Sequence, residues 1–175
     1  MPELNGFVTS RLRARSWRTE LDDQQTRAAL IAALEDMLSP NVLKHLPPPL
    51  QLSGEQNSID GWIGARDAES DVMLVSRVDT GELVGLLILA PEQEEIGPMT
   101  LHFGYLLAEA AWGQGYGTEL ITGLVSAAAS VAPVQLIGGV DTANGASARV
   151  LEKAGFSIDL GLSAPGLDMF VLTIQ

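Results

Sequence analysis

AWGQGYGTELI, Ala111 to Ile121, sets glycine at every second place (Gly113, Gly115 and Gly117) and then begins a helix pattern. Glycine loses more backbone freedom on folding than any other residue, so this spacing needs a physical cause. Upstream, MTLHFGYLL, Met99 to Leu107, reads as a strand. Downstream, Leu120, Ile121, Leu124, Val125 and Ala128 share one face of a helix expected from Thr118 to about Ala129. Strand, glycine turn and helix together make an anion site. Amides around Gln114, Gly115, Tyr116, Gly117 and Thr118 point at a phosphate, and the helix dipole favours its charge. A tight connection without a ligand is the alternative that the glycines allow. A triphosphate-binding loop is excluded, because Thr118 and Glu119 follow Gly117 where that loop needs lysine and then serine or threonine. A dinucleotide fingerprint has its glycines at another spacing.

The rest of the composition narrows the chemistry. At 175 residues the chain has the usual size of one domain, 1–175, and can bury a core without staples. It has no cysteine, which excludes disulfides, thiolate metal ligands and a cysteine nucleophile, and which fits a cytoplasmic protein. The start, MPELNGFVTSRLRARSW, has no long apolar run, so no signal peptide is expected, and no stretch is long enough to span a bilayer. Acidic side chains number 22 against 10 basic ones, a net charge of −12. Such a surface repels phosphate backbones, so no nucleic acid partner is expected, while a cationic acceptor is favoured. His102 has no histidine or carboxylate at metal-ligand spacing, and no metal is expected.

The remaining elements follow from periodicity and turn chemistry. RLRARSW, Arg11 to Trp17, reads as a first strand. DDQQTRAALIAALEDML reads as a helix with a stripe at Leu30, Ile31, Leu34, Met37 and Leu38, its positive end suited by Asp22 and Asp23. LPPPL, Leu46 to Leu50, is a stiff non-helical loop before a second helix over Gln56 to Ala68. DVMLVSRV and ELVGLLILA form a hairpin turned by Asp79, Thr80 and Gly81. PEQEE is a charged connection. VQLIGGV is a strand, ASARVLEKAGF a helix ended by Gly155, and Phe156 to Leu162 and Met169 to Ile174 are closing strands. The fold class is one mixed α/β (α+β) domain.

FGYLLAEAAWGQGYGTELI is similar to the central acetyl-coenzyme A motif of the GCN5-related N-acetyltransferases (GNAT). The resemblance is nearer to the branch that acetylates ribosomal-protein N-termini, which often carries tryptophan at the position of Trp112. NGASARVLEKAGF resembles the family's later element through Asn144, Ser147, Val150, Leu151, Glu152, Lys153, Gly155 and Phe156. TSRLRARSW, NVLKHLPPP and DTGELVGLLIL resemble the same branch, so the likeness spans nearly the whole chain.

That resemblance implies a twisted, mostly antiparallel sheet flanked by helices, with two central strands splayed around acetyl-CoA as co-substrate. Backbone groups of Tyr105, Leu106 and Leu107 would bind the pantetheine arm, and amides of Gln114, Gly115, Tyr116, Gly117 and Thr118 the pyrophosphate. Arg149 and Lys153, four apart on one helix, would approach the adenosine phosphates, or stand as solvated charges. A primary amine attacks the thioester directly; the acceptor is a protein or peptide N-terminus, or a polyamine or amino-sugar amine. Many members protonate the leaving thiolate with a tyrosine at the position of Leu151, which cannot do so. Ser147 is then the thiol-side candidate, or a helix cap. Asn144 either starts the helix or binds the cofactor, and Glu109 polarises water or is a solvated carboxylate. Trp17 and Trp62 shape the acceptor pocket or are apolar anchors, and Trp112 packs by the phosphate turn. An acyl-CoA-binding or sensing module with little activity is the alternative that Leu151 supports, and the reading leaves room for a homodimer.

The acidic surface generates a test. Among amines of similar size, a cationic peptide or polyamine should be acetylated faster than an anionic analogue. Its kcat/KM should fall as salt rises, because screening shortens the electrostatic reach. Equal rates across the panel would remove charge from acceptor capture.

Overall fold

Both faces of the hairpin strands are apolar, so helices must cover the sheet on both sides. The computed structural model describes residues 4–52, 58–92 and 96–175. Its strands are β1 (Phe7–Val8), β2 (Leu12–Ser16), β3 (Asp71–Arg77), β4 (Leu83–Glu92), β5 (Met99–Leu107), β6 (Val134–Asp141), β7 (Ser157–Ile158) and β8 (Leu167–Ile174). They form one sheet in the order β1-β2-β3-β4-β5-β6-β8-β7. All neighbours are antiparallel except β5 and β6. The helices are α1 (Arg18–Asp22), α2 (Gln24–Met37), α3 (Pro40–Leu43), α4 (Ile59–Glu69), α5 (Tyr116–Ala128) and α6 (Gly145–Lys153).

Strand alternation separates two cores. Met73, Val75, Leu87 and Leu89 face Tyr116, Leu120, Ile121 and Leu124 of α5 and Leu151 of α6. Val72, Leu74, Leu86 and Ile88 face Leu30, Leu34 and Met37 of α2 and Trp62 and Ile63 of α4. Trp17 and Trp62 are fully buried in this second core, edge to face with centroids 6.4 Å apart. Their indole N–H groups donate to Asp67 Oδ1 and the Leu50 carbonyl, so both are anchors of packing. Asp23 caps α2 by accepting from the amides of Gln25 and Thr26.

Local chemistry accounts for the departures from expectation. β1 and α1 are too short for a periodic signal. The expected start of the second helix at Gln56 lies outside the described residues, and α4 runs from Ile59, capped by Ser58. LPPPL contains one 3₁₀ turn, Pro48–Leu50, because prolines there give up no needed amide donor. The closing strand expected over Phe156 to Leu162 shrinks to Ser157–Ile158. Asp159 accepts from the amides of Gly161 and Leu162, and this local turn replaces sheet pairing.

The central strands part after a few residues. β5 pairs with β4 along its whole length, from Thr100 opposite Glu92 to Leu107 opposite Gly85. β6 pairs with β8 along its whole length. Between β5 and β6 the pairing runs only from Met99 opposite Val134 to Phe103 opposite Gly138. Past that point, Gly104–Leu107 and Gly139–Asp141 have no partner across the opening. The Phe103 ring lies over Gly138 at the fork, where a Cβ would come within 2.6 Å of it. Gly138→Ala should therefore cost about 1–3 kcal/mol of stability through overpacking, read as a lower urea midpoint. An unchanged midpoint would mean that Phe103 does not need the bare glycine.

Candidate active site

The fork is filled by space. A cavity of about 600 Å³ is lined by Tyr105–Leu107 of β5, by Trp112, Gly113, Gly115, Tyr116, Gly117 and Thr118, and by Asn144, Ser147 and Val150 of α6. A second, of about 510 Å³, lies between β5 and β6, with Phe103–Leu106, Gly138–Asp141, Leu151 and Gly166 in its walls. His45, Leu46, Tyr105, Leu106 and Ser147 line both, so the two are halves of one cleft.

The glycine turn forms the outer end. Gly113 and Gly115 have φ of +72° and +80°, which side chains resist. Gly115 is the N-cap of α5, and no side chain caps it. The amides of Tyr116, Gly117 and Thr118 are thus left for a ligand at the positive end of a 13-residue helix. Gly117 faces Val150 and Tyr105 so closely that a Cβ would already be tight. These bare amides at the cavity wall fit an anionic phosphate group.

Arg11 holds this turn in place. Its guanidinium donates to the Gln114 carbonyl and the Glu119 carboxylate, and it lies 4.5 Å from the Tyr116 ring centroid. Burial opposes ionisation of Glu119, but hydrogen bonds from Thr9 and Arg11 outweigh it and lower its pKa. No local pattern reveals this tie, because Arg11 and Glu119 are far apart in the chain.

At the inner end, the Tyr105 hydroxyl and Ser147 Oγ are 2.9 Å apart. Burial raises the Tyr105 pKa and the Ser147 hydrogen bond only partly offsets it, so the phenol keeps its proton at neutral pH. The cap of α6 is Asn144, whose Oδ1 accepts from the Ser147 amide. Ser147 Oγ is therefore free of capping and turned to the cleft. Leu151 is buried in the core behind it. The sequence reading assigned only the backbone of Tyr105; its hydroxyl was missed, as was His45.

The remaining candidates make contacts of their own. Glu109 accepts from Ser39 Oγ and from Asn41, which hold its carboxyl below the ordinary range, and it lines neither half of the cleft. The Gln114 side chain turns back to the Ala110 carbonyl. Arg149 is exposed beside Gly145, which lines the cleft, and Lys153 lines a groove that shares Gly115 and Thr118 with it. His102 pairs with Glu92 outside the cleft. Trp112 is half exposed in the cleft wall, its indole N–H bonded to the Leu107 carbonyl. Among the described residues no three His, Cys, Asp or Glu side chains gather as for a metal, and no helix is long and apolar enough to cross a membrane.

A model of the acetyltransferase (GNAT) domain matches residues 11–157. The chain belongs to the GNAT acetyltransferase family. It is an acetyl-CoA-dependent acyltransferase. No curated protein sequence matches the chain. Solved structures share its fold. RimL, a ribosomal L7/L12 alpha-N-protein acetyltransferase in complex with coenzyme A, superposes with a TM-score of 0.67 at 18% identity, over 95% of this chain and 96% of that one. The ribosomal-protein-S5-alanine acetyltransferase of Vibrio fischeri gives 0.69 at 14%, over 96% of each chain. A GNAT-family acetyltransferase of Bacillus anthracis gives 0.67 at 16%, over 96% and 98%. At such identities the likeness is one of fold.

The glycine turn of this GNAT domain is open to direct test. Gly115→Val puts a branched side chain at positive φ beside the bare amides. Titration calorimetry should show coenzyme A binding weakened by about tenfold or more, with the far-UV spectrum retained. Unchanged affinity would remove this turn from the binding site.

Proposed function

We propose that the protein moves the acetyl group of acetyl-CoA to a primary amine in a ternary complex, and that the first acceptor is the N-terminus of a protein or peptide. The observation that carries this reading is the Tyr105–Ser147 hydroxyl pair where the two halves of the cleft meet. One half ends on an uncapped helix N-terminus suited to phosphate; the other is open to an acceptor. Two proteins of the same fold bear names as ribosomal-protein acetyltransferases, which favours a protein amine over a polyamine or amino sugar. The whole chain, 1–175, acts as one domain in the cytoplasm, a reading supported by one continuous sheet and by the absence of cysteine.

Acetyl-CoA supplies an activated thioester whose departing group is a thiolate. The chain contributes position and protons. Amides of Tyr116, Gly117 and Thr118 hold the phosphates, and the β5 edge at Tyr105–Leu106, which has left β6, offers backbone partners to an amide-bearing arm. Asn144 fixes the first turn of α6 and so aims Ser147. Tyr105, kept protonated by burial, can donate to Ser147 Oγ, and in that arrangement the serine proton is free for the sulfur side. The phenol that Leu151 cannot provide from α6 thus comes from β5.

Ser147→Ala removes this donor without touching the helix cap. Turnover should fall about tenfold, the worth of one hydrogen bond that strengthens as charge develops, with coenzyme A affinity and melting temperature nearly unchanged. Full turnover in the variant would take Ser147 out of the mechanism. Lower melting with full turnover would make it structural.

A further inference from the structure

The segment between α3 and the proline turn brings one imidazole to the middle of the cleft. His45 is half-buried and lines both cavities. Its Nδ1 lies 3.2 Å from Asp141 Oδ2, at the end of β6 where that strand has left β5. Asp141 itself is fixed: its other oxygen accepts from the Ala143 amide at 2.9 Å. That amide and His45, with Lys44 nearby, keep the Asp141 carboxyl below its ordinary pKa. An ionised carboxylate can only accept hydrogen bonds, so the ring nitrogen facing it must carry hydrogen. Nε2 is then the basic nitrogen of the neutral ring.

We infer that His45, oriented by Asp141, is the general base that takes a proton from the acceptor's ammonium group. This rests on the acetyltransferase reading above. The proton balance is complete. The acceptor enters as R–NH3⁺ and gives one proton to Nε2, which later passes it to water. The freed lone pair attacks the thioester carbonyl and forms the N–C bond; as the C–S bond breaks, Ser147 gives its proton to the departing sulfur, and the second amine proton passes through water to restore the serine hydroxyl. His45 and Ser147 thus serve opposite ends of one transfer, and both line the junction of the cavities. Imidazole suits the task because one ring nitrogen can take up a proton while the other donates to the carboxylate. The charged and titratable groups around it are Asp141 from β6, Lys44 from its own segment, and the Tyr105 hydroxyl from β5. The contact also ties the segment before LPPPL to β6, and a purely structural tie is the competing account.

Two readouts separate them, one of which needs no turnover. In the full-length protein, with His102→Asn removing the other imidazole, long-range ¹H–¹⁵N spectra should show neutral His45 with hydrogen on Nδ1. Asp141→Asn should shift that preference. In parallel, His45→Asn keeps an amide donor toward Asp141 but cannot take up a proton. With acetyl-CoA and a basic peptide beginning with alanine, its kcat should fall on the order of 100-fold. The acid limb of the pH profile should vanish, while coenzyme A affinity and melting temperature hold. Hydrogen on Nε2 instead, or a retained acid limb at near-normal kcat, would overturn the role of His45 and leave the acetyltransferase reading standing. A lowered melting temperature with the limb intact would make the pair structural and overturn it equally. Wild-type protein that releases no free thiol with any amine would overturn the acetyltransferase reading and the inference with it.

Discussion

β5 can satisfy one neighbour fully and the other only in part, and the site follows from that division. Its full ladder with β4 holds it straight to Leu107. β6 is held as completely by β8 on the other side. Each half-sheet keeps its own course, and the two share only the pairs from Met99 to Phe103. The backbone edges beyond the fork are polar and do not pair with each other; the Trp112 indole meets the Leu107 carbonyl. Inside a protein such groups need partners, and a substrate carrying amides can supply them. The opening is thus a binding site made of main chain before any side chain is considered.

The acidity of the protein makes backbone chemistry at the glycine turn more important. Arg11, the cation beside Gln114 and Tyr116, is committed to Glu119 at 2.7 Å. Lys153 lines a groove that adjoins the turn through Gly115 and Thr118. The amides and the helix dipole at the turn carry no net charge and need no mobile side chain to be ordered, which suits them to an anion. Positive φ at Gly113 and Gly115 is the backbone geometry that exposes those amides. The arrangement lets a strongly acidic surface coexist with a local anion site.

Side-chain chemistry is concentrated where three separate elements converge. β5 brings Tyr105, α6 brings Ser147, and the connection before the proline turn brings His45. The second core secures that connection: Val42 and Leu46 pack with Trp62, Leu34 and Leu106 on the face opposite α5. Packing of the second core therefore helps to set the position of the imidazole. Leu151 completes the logic from the other face. It belongs to the main core, where a polar group would need a partner, while the hydroxyl beside Ser147 comes from the sheet.

Much of this was legible in the letters, and the reason is locality. The glycine spacing, the apolar stripe of α5, the Asp79–Gly81 turn, the start of α6 at Asn144 and the left-handed Gly155 at its end are decided by neighbours a few residues apart. Such signals survive in a single sequence. The family likeness and the order of elements came from the same stretches. The expected strand over Phe156 to Leu162 failed for a local reason too, because Asp159 offers the backbone a turn that competes with pairing. The tertiary structure alone decided which candidate side chains meet. Glu109 turned to Ser39 and Asn41, Trp17 and Trp62 went to the core, and the Tyr105 hydroxyl found Ser147. Arg11 with Glu119, and His45 with Asp141, are pairs joined across the fold rather than along the chain. No periodicity records them, because their distances are set by how the two half-sheets diverge and by what each core holds in place.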